Sequence, residues 1–215
     1  IYKASVRSRL SGKMNIREIF SEADVRRLTK VAREVWREAN VAFCTPEQVE
    51  YMIEKYQSFE AISGQLMQGY RYFLFEEGDE ILGYFGVQPQ GERLFLSKFY
   101  ILKHNRGRKL FSLGLQRMIE LCKEGEINSI YLTVNRNNTH AYEVYLAKGF
   151  KVIAEECTDI GFGFVMDDYI MEYEVGQGAD TAGGRNAYVA GYSIGGKSGT
   201  SEQLNMERRA DGDYK

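Results

Sequence analysis

Apolar residues recur every three or four positions in the first third of the chain and alternate over several short runs after it. The pattern therefore predicts helices first and a sheet behind them. A short strand-like stretch, Asn15 to Phe20, comes before the first helix. Ser21 starts that helix, with Asp24 placed as in a capping box and Val25, Leu28, Ala32, Val35, Trp36 and Ala39 along one face. A second helix opens at Thr45-Pro46-Glu47-Gln48, an N-cap followed by proline at the first helical position, and is expected to run to about Ile62, before Gly64. Three strands follow, Tyr70 to Glu76, Ile81 to Gln88 and Leu94 to Leu102. The turns Glu77-Gly78-Asp79 and Pro89-Gln90-Gly91 are short enough to make them an antiparallel meander.

The order of elements then changes. Lys103 to Leu121 reads as a basic, glycine-containing turn that opens a helix carrying Phe111, Leu115, Met118, Ile119 and Cys122 on one face and ending near Gly125. Ile130 to Val134 returns as a strand, which the crossover rule makes parallel to its predecessor. Asn138 is placed to cap a helix to Lys148, and Gly149 is a natural stop. Two strands complete the pattern, Phe150 to Glu156 and Phe162 to Val175. The whole predicts an α/β fold with a central mixed, mostly antiparallel sheet flanked by helices.

Strand, basic turn and helix together form a cradle for an anion. The first turn of a helix has unpaired N–H groups and the positive end of the macrodipole, and Arg106, Arg108 and Lys109 add positive charge there. The same arrangement also serves as an ordinary connector, so this turn alone does not decide the function.

Composition narrows the alternatives. With 215 residues, 44% of them apolar, the chain can bury one sizeable core. A net charge of −2 gives no general attraction for nucleic acid, and no apolar run is long enough for a membrane span. Cys44, Cys122 and Cys157 have neither paired nor metal-like spacing, which fits reduced thiols in a cytoplasmic protein. His104 and His140 form no metal cluster with their neighbours, so no metal is expected. Residues 1–13 read as an extension outside the fold, 14–175 as the domain, and 176–215 as a glycine-rich, disordered tail holding nine of the 22 glycines.

The stretch Asn138-x-x-Ala141-x-x-x-Tyr145, taken with the preceding strand, turn and helix, resembles the Gcn5-related N-acetyltransferase (GNAT) family over about residues 14–175. The resemblance implies the family's acyl-coenzyme A N-acyltransferase fold and acetyl-CoA as acyl donor. It implies that the pyrophosphate is held by Arg106, Gly107, Arg108, Lys109, Leu110 and Phe111. Two positions that are glycine in the family pattern are Lys109 and Phe111 here; Lys109 can compensate by pairing with phosphate oxygens. It also implies that the pantetheine arm pairs with the backbone of Phe99, Tyr100 and Ile101, that Asn138 touches the cofactor besides capping its helix, and that Tyr145 is the general acid for the departing thiolate.

The acceptor implied is a primary amine, on a small molecule, a protein N-terminus or a lysine. Trp36, Phe43 and Tyr51 are candidates for its pocket by position, while Glu76, Asp167 and Asp168 read as solvated carboxylates with no catalytic assignment. The rival reading is a non-catalytic acyl-CoA-binding or regulatory domain of the same fold. An open last strand is available for pairing with a second copy. In the tail, Lys197-Ser198-Gly199-Thr200 resembles a fragment of a penicillin-binding transpeptidase, yet no serine in the chain has a lysine three positions later, so that chemistry is not expected.

Overall fold

The computed structural model of the chain describes residues 13–40, 45–161 and 163–176, together with the backbone of 201–203. The elements in chain order are β1 (Met14–Glu18), α1 (Glu22–Asn40), α2 (Pro46–Gln57), α3 (Phe59–Met67), β2 (Arg71–Glu77), β3 (Glu80–Gln90), β4 (Arg93–Ile101), α4 (Leu110–Glu124), β5 (Ser129–Asn135), α5 (Thr139–Ala147), β6 (Lys151–Gly161), β7 (Phe164–Glu174) and β8 (Ser201–Gln203). The sheet order is β1-β2-β3-β4-β5-β7-β6, with β8 paired to β7. Among the paired strands only β4 and β5 run parallel. The mixed sheet with helices on both faces is the predicted architecture.

The caps read from sequence are made. The Asp24 N–H donates to Ser21 Oγ at 3.1 Å and Ser21 N–H to Asp24 Oδ2 at 3.4 Å, a reciprocal box at the start of α1. Gln48 N–H donates to Thr45 Oγ1 at 3.2 Å, with Pro46 in the first turn of α2. The expected continuation of this helix to Ile62 is corrected. Ser58 is extended, with φ −69° and ψ 165°, and its hydroxyl accepts the Ala61 N–H at 3.1 Å. One serine therefore ends α2 and caps α3, and Gly64 lies inside α3 rather than beyond a helix end.

Two apolar layers form because side chains alternate across each strand. On one face Phe73, Phe75, Phe85, Phe99 and Ile101 meet Phe111, Leu115 and Met118 of α4 and Tyr145 of α5. On the other, Tyr72, Leu74, Tyr84, Tyr100 and Leu102 meet Leu28, Val35 and Trp36 of α1 and Val49, Met52 and Ile53 of α2. Gly114 sets how deep α4 sits: a Cβ there would lie 2.6 Å from the Phe99 ring and 3.0 Å from that of Phe75.

Strand β4 changes parity midway. Leu94 and Leu96 face α4, and so do Phe99 and Ile101, because Ser97 is an extra residue: Val87 pairs with Leu96 and Gly86 with Lys98. A bulge bends its strand and increases local twist. Pairing with β5 covers only Arg93↔Ser129, Leu94↔Ile130 and Phe95↔Tyr131, so the two parallel strands separate just before the bulge.

Candidate active site

The separation of β4 from β5 defines the site. Beyond Phe95, β4 stays paired to β3 through Phe85↔Phe99, Tyr84↔Tyr100 and Gly83↔Ile101, and no described strand pairs with its other edge. Backbone groups of a strand point along the sheet, so this edge can pair with an extended amide-bearing ligand in place of a strand. Phe99, Tyr100 and Ile101 are all buried, Phe99 and Ile101 on the α4 side and Tyr100 on the α1–α3 side.

At the end of β4 the chain makes a turn of 3-10 helix, Lys103–Asn105, then enters α4 through Gly107, with φ 80°, and Lys109, with φ 61°. Both residues sit in the left-handed region, which a lysine occupies only at some cost. This explains why the family pattern carries glycine at the Lys109 position. The first bond of α4 is Leu113 N–H to Lys109 O at 3.2 Å, which leaves the N–H groups of Leu110, Phe111 and Ser112 without carbonyls inside the helix.

The side chains of the loop do not all face that turn. Arg106 bonds Glu38 of α1 at 2.9 Å and the Ile101 carbonyl at 3.2 Å, and Arg108 bonds Glu77 at 2.9 Å and Asn105 Oδ1 at 3.2 Å. Both guanidiniums are held in neutralising pairs and tie the loop to α1 and β2. Lys109 is exposed. Leu110 and Phe111 point into the core, where the Phe111 ring stands edge-on to Phe99 at 4.9 Å and to Tyr145 at 5.5 Å. A phenylalanine at this position therefore does not fill the cradle. A cation that sequence reading passed over takes its place at the first turn: Lys148, at the C-cap of α5, donates to Ser112 Oγ at 2.9 Å. Its only sequence signal was a basic residue at a helix end beside Gly149.

Asn138 caps α5 through the Ala141 N–H at 3.1 Å. Seven residues on, Tyr145 is fully buried among Phe111 and Phe150, and its hydroxyl has no hydrogen-bond partner. Burial alone pushes this phenol well above its ordinary value, so it stays protonated at neutral pH. Tyr100 is raised as well, mainly by burial, with Tyr84 and then Tyr145 adding electrostatic repulsion. Tyr100 and Tyr145 belong to opposite layers of the sheet.

The carboxylates read as solvated are corrected in two cases. Glu76 and Asp168 are buried, because Glu76 is enclosed by Arg17 and Arg27 at 2.7 and 3.0 Å, and Asp168 lies on β7 opposite Asn135 in the sheet interior. Asp167 bonds Arg136 at 2.6 Å. Tyr51 spans from α2 to the β6–β7 end, donating to the Ile160 carbonyl at 3.2 Å, and Trp36 packs its ring 5.5 Å from Tyr100. Phe43 and Cys44 lie outside the described residues, as do the 1–12 stretch and Lys197 to Thr200 of the tail. No group of three or more His, Cys, Asp or Glu able to hold a metal occurs among the described residues. No described helix is long and apolar enough to cross a membrane.

The geometry fits a thioester-linked nucleotide: an anion cradle at one end, an open strand edge along the middle, and an unpartnered phenol at the buried end. The family model for the acetyltransferase (GNAT) domain matches residues 40–169. Among solved structures, the PaiA N-acetyltransferase of Thermoplasma acidophilum in complex with coenzyme A superposes with a TM-score of 0.64. Its identity is 23% over 75% of this chain and 98% of that one. A GNAT acetyltransferase of Staphylococcus aureus Mu50 gives 0.59 at 20% identity, over 76% and 99% of the two chains. YncA of Salmonella typhimurium, solved with acetyl-CoA, gives 0.54 at 17% identity, over 78% and 97%. No curated protein matches the sequence. The solved structures share the fold, the family model adds the sequence pattern, and by that match the chain belongs to the GNAT acetyltransferase family.

Proposed function

We propose that this chain transfers the acetyl group of acetyl-CoA to a primary amine by direct attack. The observation that carries the reading is the Tyr145 hydroxyl, buried without a partner in the layer that packs on β4, on the side of the sheet where α4 follows the parting of β4 from β5. A buried polar group left unbonded costs about 1–3 kcal/mol. Its retention is accounted for if the group bonds in the substrate complex.

Acetyl-CoA supplies the acyl carbon as a thioester. The backbone N–H groups at the start of α4, with Lys109 and Lys148, hold pyrophosphate; the edge of Phe99, Tyr100 and Ile101 takes the amides of the pantetheine arm. The amine nitrogen attacks the carbonyl carbon, a C–N bond forms, the C–S bond breaks, and the amine nitrogen gives up a proton to water. The sulfur receives a proton from Tyr145, which regains one from water before the next turnover. Desolvation that keeps Tyr145 neutral also disfavours a bare thiolate next to it, so the leaving sulfur draws that proton as charge develops. Asn138 acts through the position of α5, and Arg106 and Arg108 through the shape of the loop.

The reading extends to a cytoplasmic protein, for which the free thiols of Cys122 and Cys157 are the support, and to residues 14–175 as the functional unit. The last strand of the domain is not the open edge expected from the sequence, because β7 is paired on both sides by β5 and β6; a second copy would add to the edge strand β6 instead. Calorimetry with acetyl-CoA and a thiol-release assay over a panel of amines test the proposal together. Micromolar binding with amine-dependent release is expected. Binding without release from any amine leaves a non-catalytic acyl-CoA domain, and absence of binding at millimolar ligand removes the donor site altogether.

A further inference from the structure

On the α1–α3 side of the sheet a second set of buried polar atoms lacks partners: Trp36 Nε1, Asn40 Oδ1 and Gln57 Nε2. All three residues are more than nine-tenths buried, at 4%, 0% and 0% exposure. They belong to one neighbourhood. Trp36 and Asn40 are one turn apart on α1, the Trp36 ring is 5.5 Å from that of Tyr100, and Tyr100 is 5.4 Å from Tyr84. Tyr84 in turn donates its hydroxyl proton to Gln57 Oε1 at 3.0 Å.

The amide ends left over differ. With Tyr84 donating to Gln57 Oε1, the Gln57 amide presents its NH₂ group as the unused end in this structure. Asn40 donates Nδ2 to the Trp36 carbonyl at 2.8 Å, so its oxygen is the unused end. The set therefore offers two neutral N–H donors and one neutral acceptor, with no charged side chain in it. Tyr100, against which the Trp36 ring packs, is itself a residue of β4 beyond its parting from β5, so the set lies against the strand that carries the proposed donor site.

We infer that Trp36, Gln57 and Asn40 recognise the acceptor, and that the acceptor is an α-aminoacyl group, an amine with a carbonyl oxygen on the adjacent carbon. Trp36 Nε1 and Gln57 Nε2 donate to that oxygen, and Asn40 Oδ1 accepts from the amine N–H. A neutral set discriminates by pairing: an amine without the carbonyl leaves both donors unbonded, whereas a polycation finds no carboxylate among the three. This inference rests on the acetyltransferase reading.

Trp36 is the sole tryptophan of the chain, so its fluorescence reports this neighbourhood directly. The full chain, with and without saturating coenzyme A, is titrated with alanine amide, alanyl-alanine and ethylamine. A saturable shift in emission with both aminoacyl compounds and none with ethylamine is expected. Gln57→Leu should weaken the aminoacyl affinity about tenfold, while coenzyme A binding by calorimetry is unchanged. Trp36→Phe keeps a ring in place and should raise KM for alanine amide without a matching change in kcat. An equal response to ethylamine, no response to any of the three, or Gln57→Leu and Trp36→Phe proteins that are folded and unaltered toward alanine amide would overturn the inference. Failure of coenzyme A to bind the unaltered chain is a different result, and defeats the acetyltransferase reading itself.

Discussion

Tyr145 shows how far a single residue can be read. Its spacing from Asn138 came from the sequence, but its burial beside Phe111 and Phe150 is a property of the folded layers. Tyr145→Phe removes an unbonded hydroxyl, so the apo protein is expected to melt at the same temperature or higher, while turnover falls on the order of 100-fold. Differential scanning calorimetry beside a thiol-release assay checks both halves, and a fall in both would make Tyr145 a structural residue. Cys122 gives a pH-dependent counterpart. Burial raises its thiol from 9.0 to about 11, so the folded state binds the proton more tightly than the unfolded state. Its contribution is complete below pH 9 and is lost as pH rises towards 11. At pH 8 alkylation followed by mass spectrometry should modify exposed Cys157 and spare Cys122.

Elements bring in constraints that no single position carries. Strand β4 reads in sequence as one apolar run from Leu94 to Leu102; the bulge at Ser97 was legible only as a break in parity between Leu96 and Phe99. Its effect, the parting of β4 from β5, depends on a partner strand more than thirty residues away. The α2–α3 break at Ser58 was missed for a related reason. A serine inside a helical pattern competes as a cap, and the packing of both helices on Tyr72 and Tyr84 decides in its favour. Gly114→Val tests how closely α4 must approach β4. With 2.6 Å to Phe99 for an added Cβ, overpacking should cost about 1–3 kcal/mol, read from denaturant unfolding, and weaken coenzyme A binding through the displaced first turn. Unchanged stability would show that Phe99 and Phe75 can move aside.

Across the molecule, ion pairs join distant parts of the chain. Hydrogen bonds from Arg17 hold the Asp24 and Glu76 carboxylates below their ordinary values of 3.8 and 4.5. Both stabilise the fold above those values, and the stabilisation is lost as pH falls through and below them. Acid unfolding of Arg17→Met should therefore show a shallower dependence on pH below about 4.5 than the unaltered chain, a comparison made by circular dichroism. Ligand binding acts at the same scale: acetyl-CoA at a hundred times its Kd should add about 2.7 kcal/mol, seen as a rise in Tm. Legible in the linear pattern were the helix caps at Ser21, Thr45 and Asn138, the order of strands and helices apart from the α2–α3 break, and the family pattern around Tyr145, because these depend on neighbours within a turn or a strand. Only the tertiary structure decided that β4 opens beyond Phe95, that Arg106 and Arg108 are bound to Glu38 and Glu77, that Lys148 reaches the first turn of α4, and that Trp36, Asn40 and Gln57 share one buried neighbourhood. Each of these joins residues far apart in the chain. Their pairing follows from packing distances, which a linear pattern does not contain.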